Sequence, residues 1–223
     1  MEKICVSVRV RPLNAQEKGK GQCWQVDGNS LLQTGAPASA TPFQFDHVFD
    51  SSKTSRDVYE KTTKSIIHNV VAGFNGTVFA YGQTSSGKTH TMRGSEEEPG
   101  VIPSAIDEIF ETISKSAGRE FLLRVSYMEL YNEEIRDLLN PSKCKLQLHE
   151  DAVRGIYVAG LHEEIVNDAE QIKKLMEKGE NSRHVGETNM NSRSSRSHTI
   201  FKMVIESRDC SQDQTNGDEV MKP

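Results

Sequence analysis

Four cysteines are all that the 223 residues contain, and they are scattered as Cys5, Cys23, Cys144 and Cys210. No C-x-x-C pair and no histidine at metal spacing accompanies them, so a zinc or redox site is disfavoured and four reduced thiols are expected. An excess of positive charge is also lacking. The net charge of −5 argues against a surface that wraps nucleic acid or lies on anionic lipid as a whole. No apolar run approaches the roughly 18 residues of a spanning helix. The start, Met1-Glu2-Lys3-Ile4, lacks the shape of a secretory signal, so a cytosolic or nuclear protein is expected. Internal repeats and a clear linker are missing too.

What is present is ordinary globular composition, with 35% hydrophobic and 26% charged residues. The length suffices for one large domain or two small ones with a sizeable core. Ile4–Val10 alternates and is β-branched, which predicts a strand ended by Arg11-Pro12. A polar stretch follows, with one weak strand near Leu31-Leu32 and alternation again at Phe43-Gln44-Phe45. Val58, Tyr59, Thr63, Ile66, Ile67, Val70 and Val71 recur at helical spacing, with Ser52 or Ser55 as candidate cap and Gly73 beyond the end. Thr77–Tyr81 reads as a short buried strand, followed by a glycine loop and a helix from Lys88. Further on, a helix from Pro103, a long strand over Phe121–Leu130 and a short helix closed by Asn140-Pro141 are expected. So are a hairpin of Leu146–Leu148 with Gly155–Val158, a helix capped by Asp168 to about Ser182, and a last strand over Ser197–Glu206. Alternating strands and helices predict an α/β fold, a mixed central sheet with helices on both faces.

Gly82-Gln83-Thr84-Ser85-Ser86-Gly87-Lys88-Thr89 satisfies G-x-x-x-x-G-K-[ST] in full. Its glycines let the backbone curl so that successive N–H groups point at phosphate oxygens. Lys88 is placed for the β- and γ-phosphates and the Thr89 hydroxyl for Mg²⁺. The predicted strand before it and helix after it supply the context this motif requires, so a nucleoside triphosphate with Mg²⁺ is the expected ligand. The loop alone does not separate a kinase from a GTPase, a helicase or a motor.

A second cluster, Asn191-Ser192-Arg193-Ser194-Ser195-Arg196-Ser197-His198, packs hydroxyls, an amide and two guanidinium groups into eight residues before a strand. Such groups order water and stabilise phosphoryl charge. The same composition also suits a solvated Ser/Arg loop or a phosphorylation site, and the residues alone leave both open.

Taken together, Gly82–Thr89 and Asn191–His198 resemble the nucleotide loop and first switch of the kinesins. So do Arg9-Val10-Arg11-Pro12, Phe74–Tyr81, His90-Thr91-Met92 and Tyr127–Glu133. The resemblance runs from about Ile4 to Arg208, and Phe121–Tyr131 and Gly179–His198 look most similar to the centromere-associated kinesins. It implies a partial motor domain over residues 1–208, a polar tail over 209–223, ATP and Mg²⁺ as ligands, and hydrolysis driving movement on microtubules. By it, Arg9, Pro12, Phe74 and His90 would enclose the adenine, as planar cations, aromatic faces and proline rings do. Gly82, Gln83, Thr84, Ser85, Ser86, Gly87, Lys88 and Thr89 would cradle the phosphates. Asn191 and Ser194 would meet the γ-phosphate and Mg²⁺, Ser195 would position the attacking water, and Arg196 would pair with a glutamate of the second switch. The cytoplasmic cytoskeleton, with the spindle or kinetochore during division, is the implied location. Tubulin is the implied partner, rather than nucleic acid or membrane, and a stalk not contained in these residues would make a homodimer.

The sequence departs from the family in one respect. No Asp-Leu-Ala-Gly-Ser-Glu second-switch run occurs in these residues, and the main microtubule-binding helices would lie past residue 223. These residues alone are therefore expected to be a fragment without microtubule-stimulated turnover, with apolar strand edges left open beside the phosphate-loop strand. A nucleotide-binding regulatory module is the competing expectation. A small-molecule kinase is disfavoured by the roughly eighty residues before the loop and the lack of a lid-like arginine series.

Overall fold

The computed structural model describes residues 4–37, 39–152, 155–183 and 197–210. They divide into two compact units, with the boundary after Glu108.

In the first unit, strand β1 (Ser7–Arg9) pairs in parallel with β5 (His47–Phe49). Between them in sequence, β2 (Trp24–Asp27), β3 (Ser30–Gln33) and β4 (Phe43–Gln44) form a separate antiparallel sheet. The weak strand expected near Leu31-Leu32 is thus the middle of three. The long helix runs as α1 (Ser55–Val58), a π-helical turn (Tyr59–Thr63) and α2 (Lys64–Val71). Val58, Tyr59, Ile67 and Val71 from its periodic face are buried.

Neither Ser52 nor Ser55 caps that helix. Thr54 does, in a capping box: the Asp57 N–H donates to Thr54 Oγ1 at 3.2 Å and the Thr54 N–H to Asp57 Oδ2 at 2.8 Å. Ser55 is the first helical residue, and it is fully buried. Replacing Thr54 by alanine is expected to cost about 1 kcal/mol in equilibrium denaturation. An unchanged midpoint would show that the box contributes nothing.

The strand expected at Thr77–Tyr81 is neither buried nor paired among the described residues. Phe79 and Tyr81 are 80% and 95% exposed. The segment is extended, but no described strand hydrogen-bonds to it. Its two aromatic side chains lie on the surface, and only Val78 and Ala80 are half-buried.

After the phosphate loop come α3 (Lys88–Met92) and α4 (Val101–Ser114), which starts two residues before the expected Pro103.

The second unit is built on β6 (Arg119–Tyr131), thirteen residues long. One edge pairs along its whole length with β11 (Ser197–Asp209), from Ser197↔Tyr131 to Asp209↔Arg119. The other edge is shared by β10 (Glu164–Val166) and β7 (Glu134–Asp137). Beyond β7 lie β8 (Cys144–Asp151) and β9 (Gly155–Ala159), the expected hairpin. All these pairings are antiparallel, so with the parallel β1–β5 pair the chain has the expected α/β fold with mixed strand pairing.

The short helix expected before Asn140 is strand β7 instead. Asn132 and Glu133 both adopt left-handed conformations, φ 49° and 62°, which turn β6 back on itself in two residues. Ile135, Leu138 and Leu139 mimic helical spacing, but the chain bends at buried Asp137. Its Oδ1 accepts from the N–H groups of Leu139 and Asn140 at 2.9 and 3.0 Å.

Helix α5 (Ala169–Ser182) begins where expected, with the Gln171 N–H donating to Asp168 Oδ1 at 2.7 Å. Ile172 and Met176 are buried beneath it. Among the described residues no helix is long and apolar enough to cross a membrane.

Candidate nucleotide site

The phosphate loop leads from an extended segment, unpaired among the described residues, into α3. Gly87 sits at φ 98°, a left-handed conformation that a side chain rarely tolerates, and it caps α3. Ser85 also has positive φ, 63°, so the loop holds a non-glycine residue in a sparsely populated region. The Lys88 ammonium folds back over the loop, donating to the Gly82 carbonyl at 2.7 Å and the Gln83 carbonyl at 2.8 Å. A cation held over the loop, with Thr84, Ser85 and Thr89 exposed beside it, fits a polyphosphate. An exposed hydroxyl on the first turn after the loop also fits Mg²⁺, which takes one or two protein ligands and otherwise keeps water and phosphate oxygens.

The residues that the resemblance assigns to the adenine lie in the same unit. Phe74 is 69% exposed, so it is not the core residue its type would suggest, and Pro12 is exposed as well. His90 is half-exposed on α3, next to Thr89. Arg9 is not a loose surface charge. Its Nη1 donates to Ser55 Oγ at 3.0 Å and to Thr91 Oγ1 at 3.1 Å, and its Nη2 to Glu98 Oε1 at 3.3 Å. One guanidinium thus joins β1, the start of α1 and the phosphate-loop helix.

Glu98, which the sequence did not single out, is the counterpart. Its Oε1 also accepts the Ser55 N–H at 2.6 Å, and its Oε2 lies 3.9 Å from His90 Nε2. The Ser55 N–H bond above all, with His90 and Arg9 adding, holds the Glu98 carboxyl below the usual carboxylate range. Arg11, whose Cβ lies 4.0 Å from where a Gly87 side chain would start, is locked by both Glu17 carboxylate oxygens at 2.7 Å.

Asn191, Ser194, Ser195 and Arg196, which the resemblance assigns to the first switch, lie outside the described residues. The two positions flanking the undescribed stretch are held together within the second unit. Arg183, just past α5, donates through Nη2 to Ser197 Oγ at 2.7 Å, at the start of β11. Its Nε donates at 3.3 Å to Glu129, which is 0% exposed near the C-terminal end of β6. Glu180 accepts from the Tyr127 hydroxyl and lies 3.7 Å from Arg183. Only the alternation of β6 hinted at this cluster, since Glu129 falls on the same face as buried Tyr127 and Val125.

The chain is similar to known proteins in sequence and in fold. The family model described as the kinesin motor domain matches residues 9–222. Kinesin-like protein KIN-7N of Arabidopsis thaliana is 59% identical over 211 residues, covering 93% of this chain and 25% of that protein. Centromere-associated protein E of Homo sapiens is 53% identical over 212 residues, covering 92% of this chain and 8% of that protein. A solved structure of a fast kinesin superposes with a TM-score of 0.85 at 40% identity, covering 94% of this chain and 61% of that one. The chain therefore spans a quarter or less of these two curated relatives. The phosphate-loop geometry, the α/β fold and a family match over nearly all its residues lead to one conclusion: the chain belongs to the kinesin motor-domain family.

Proposed function

We propose that these residues are the ATP-binding part of a microtubule-dependent motor ATPase. The observation that carries the reading is the Lys88 ammonium held 2.7 Å from the Gly82 carbonyl, over a formed phosphate loop. With a triphosphate bound, Lys88 would turn to the β- and γ-phosphate oxygens, and Thr89 and Ser194 would hold Mg²⁺, which would neutralise phosphate charge. Asn191 meets the γ-phosphate, Ser195 orients the attacking water, and Arg196 orders the switch through a carboxylate. Arg9, Pro12, Phe74 and His90 line the purine. Phosphoryl transfer of this kind runs on positioning and electrostatics rather than covalent catalysis, so residues that act only at the transition state change turnover and not affinity. Location on cytoplasmic microtubules, and on the spindle during division, follows from this reading.

The test is steady-state turnover of the intact protein with and without microtubules, for wild type, Ser195→Ala and Arg196→Ala. Microtubules are expected to stimulate the wild type. Each substitution is expected to slow hydrolysis by about a hundredfold or more while sparing ATP affinity. Absence of stimulation in the wild type, or normal turnover in both variants, would refute the proposal.

A further inference from the structure

Glu98 belongs to a loop whose shape is tightly fixed. Residues 94–99 fold back so that Gly94 and Pro99 bridge, with the Ser95 N–H donating to the Glu98 carbonyl at 2.9 Å and the Glu98 N–H to Ser95 Oγ at 3.1 Å. Gly94 has φ 71°, and a side chain there would start 2.1 Å from the Glu98 carbonyl oxygen. A side chain at Gly100 would start 2.6 Å from the backbone of Arg93 and Gly94. Only glycine fits at both ends, so the loop delivers Glu98 to one place. There its carboxylate meets a buried N–H, that of Ser55, and the Arg9 guanidinium, whose side chain is 18% exposed. The partners are 43 and 89 residues away in sequence, on two different elements.

The Glu98 carboxylate meets Ser55, Arg9 and, at 3.9 Å, His90. What it can do is hold Arg9 in plane and in place. Arg9 in turn bonds Thr91, two residues after the Mg²⁺-directed Thr89. Resting on the ATP-binding reading above, we infer that Glu98 is a positioning residue for the nucleoside end of the nucleotide. It fixes Arg9 beside α3, while the phosphate loop binds the polyphosphate independently of it.

That division of labour can be tested in the intact protein with two probes, ATP and inorganic tripolyphosphate, each with Mg²⁺, by calorimetry. Glu98→Ala removes the acceptor for both Ser55 and Arg9. It is expected to weaken ATP by about ten- to a hundredfold, the size of a lost charge-assisted bond, with tripolyphosphate affinity unchanged. Glu98→Gln keeps an acceptor for the Ser55 N–H but loses the charge facing Arg9, so it is expected to fall between wild type and alanine and to keep the wild-type melting temperature. An ATP affinity unchanged in both variants would overturn the inference and leave the ATP-binding reading standing. Equal losses for ATP and tripolyphosphate would also overturn it, because Glu98 would then act on the phosphate loop or the fold. A wild type that binds neither probe would overturn the ATP-binding reading, and the inference with it.

Discussion

Lys88→Ala is expected to abolish measurable Mg·ATP binding while leaving the chain folded. The ammonium is the one side-chain charge within the phosphate loop. Charge-assisted bonds to phosphate contribute about 1.5–3 kcal/mol each, and Lys88 is placed to make two, so affinity should fall by at least about a hundredfold. The structure adds a reason why the fold should survive. Lys88 is only half-buried, and its two present acceptors are carbonyls of Gly82 and Gln83 at the rim of the same loop. Losing the ammonium frees those carbonyls to solvent rather than stranding them in a core. Lys88→Arg makes a useful second variant. Its planar fork does not reproduce a compact ammonium set between two carbonyls, so it too should bind weakly despite keeping the charge. Calorimetry for binding and circular dichroism for fold give the two readouts. Wild-type affinity in a folded Lys88→Ala protein would remove the phosphate-loop assignment.

The phosphate loop was legible in the sequence because its geometry is local. Eight consecutive residues carry the glycines, the lysine and the hydroxyl, and nothing distant is needed to bend them. Long elements with one buried face were legible for a similar reason. The strand at Arg119–Tyr131, the helix at Ala169–Ser182 with its Asp168 cap, and the strand at Ser197–Asp209 all carry enough periods to set their type. Strand β7 was misread because Ile135, Leu138 and Leu139 match helical spacing, and the turn before it uses Asn132-Glu133 where a glycine would have announced a hairpin. Thr54 was passed over as a cap because its box partner is Asp57 rather than the commoner glutamate. Glu98 was invisible for a different reason. It is one of three consecutive glutamates, and only the tertiary fold selects which of them meets Ser55 and Arg9. Glu129 and Arg183 are likewise 54 residues apart, and the alternation of β6 places Glu129 on the buried face without showing its partner.

Gly179→Ala sets two effects of similar size against each other, and the structure decides between them. In a helix interior alanine is favoured over glycine by about 1 kcal/mol. At this position of α5, however, a new Cβ would sit 2.4 and 2.8 Å from two ring carbons of Tyr127, and 3.4 Å from Leu138 Cβ. The ring has little room to retreat. Tyr127 is buried, packs edge-on against Phe201 at 5.9 Å, and donates its hydroxyl to Glu180. Overpacking of this kind costs about 1–3 kcal/mol and commonly moves backbone, so it should exceed the helix-propensity gain, and the variant should melt lower. Trimming the ring is the control. The double variant Gly179→Ala with Tyr127→Leu should be less destabilised than the sum of the two single variants, by more than about 0.5 kcal/mol. A functional consequence follows from where the helix leads. Pushing α5 off Tyr127 displaces Glu180 and Arg183, and Arg183 is what ties the end of α5 to Ser197 and to buried Glu129. On the proposed reading, Asn191, Ser194, Ser195 and Arg196 lie in sequence between those two anchors. Turnover in Gly179→Ala should then fall more than ATP affinity, which depends on the phosphate loop. A variant that melts higher than wild type, or a strictly additive double variant, would show that the Tyr127 contact yields without cost.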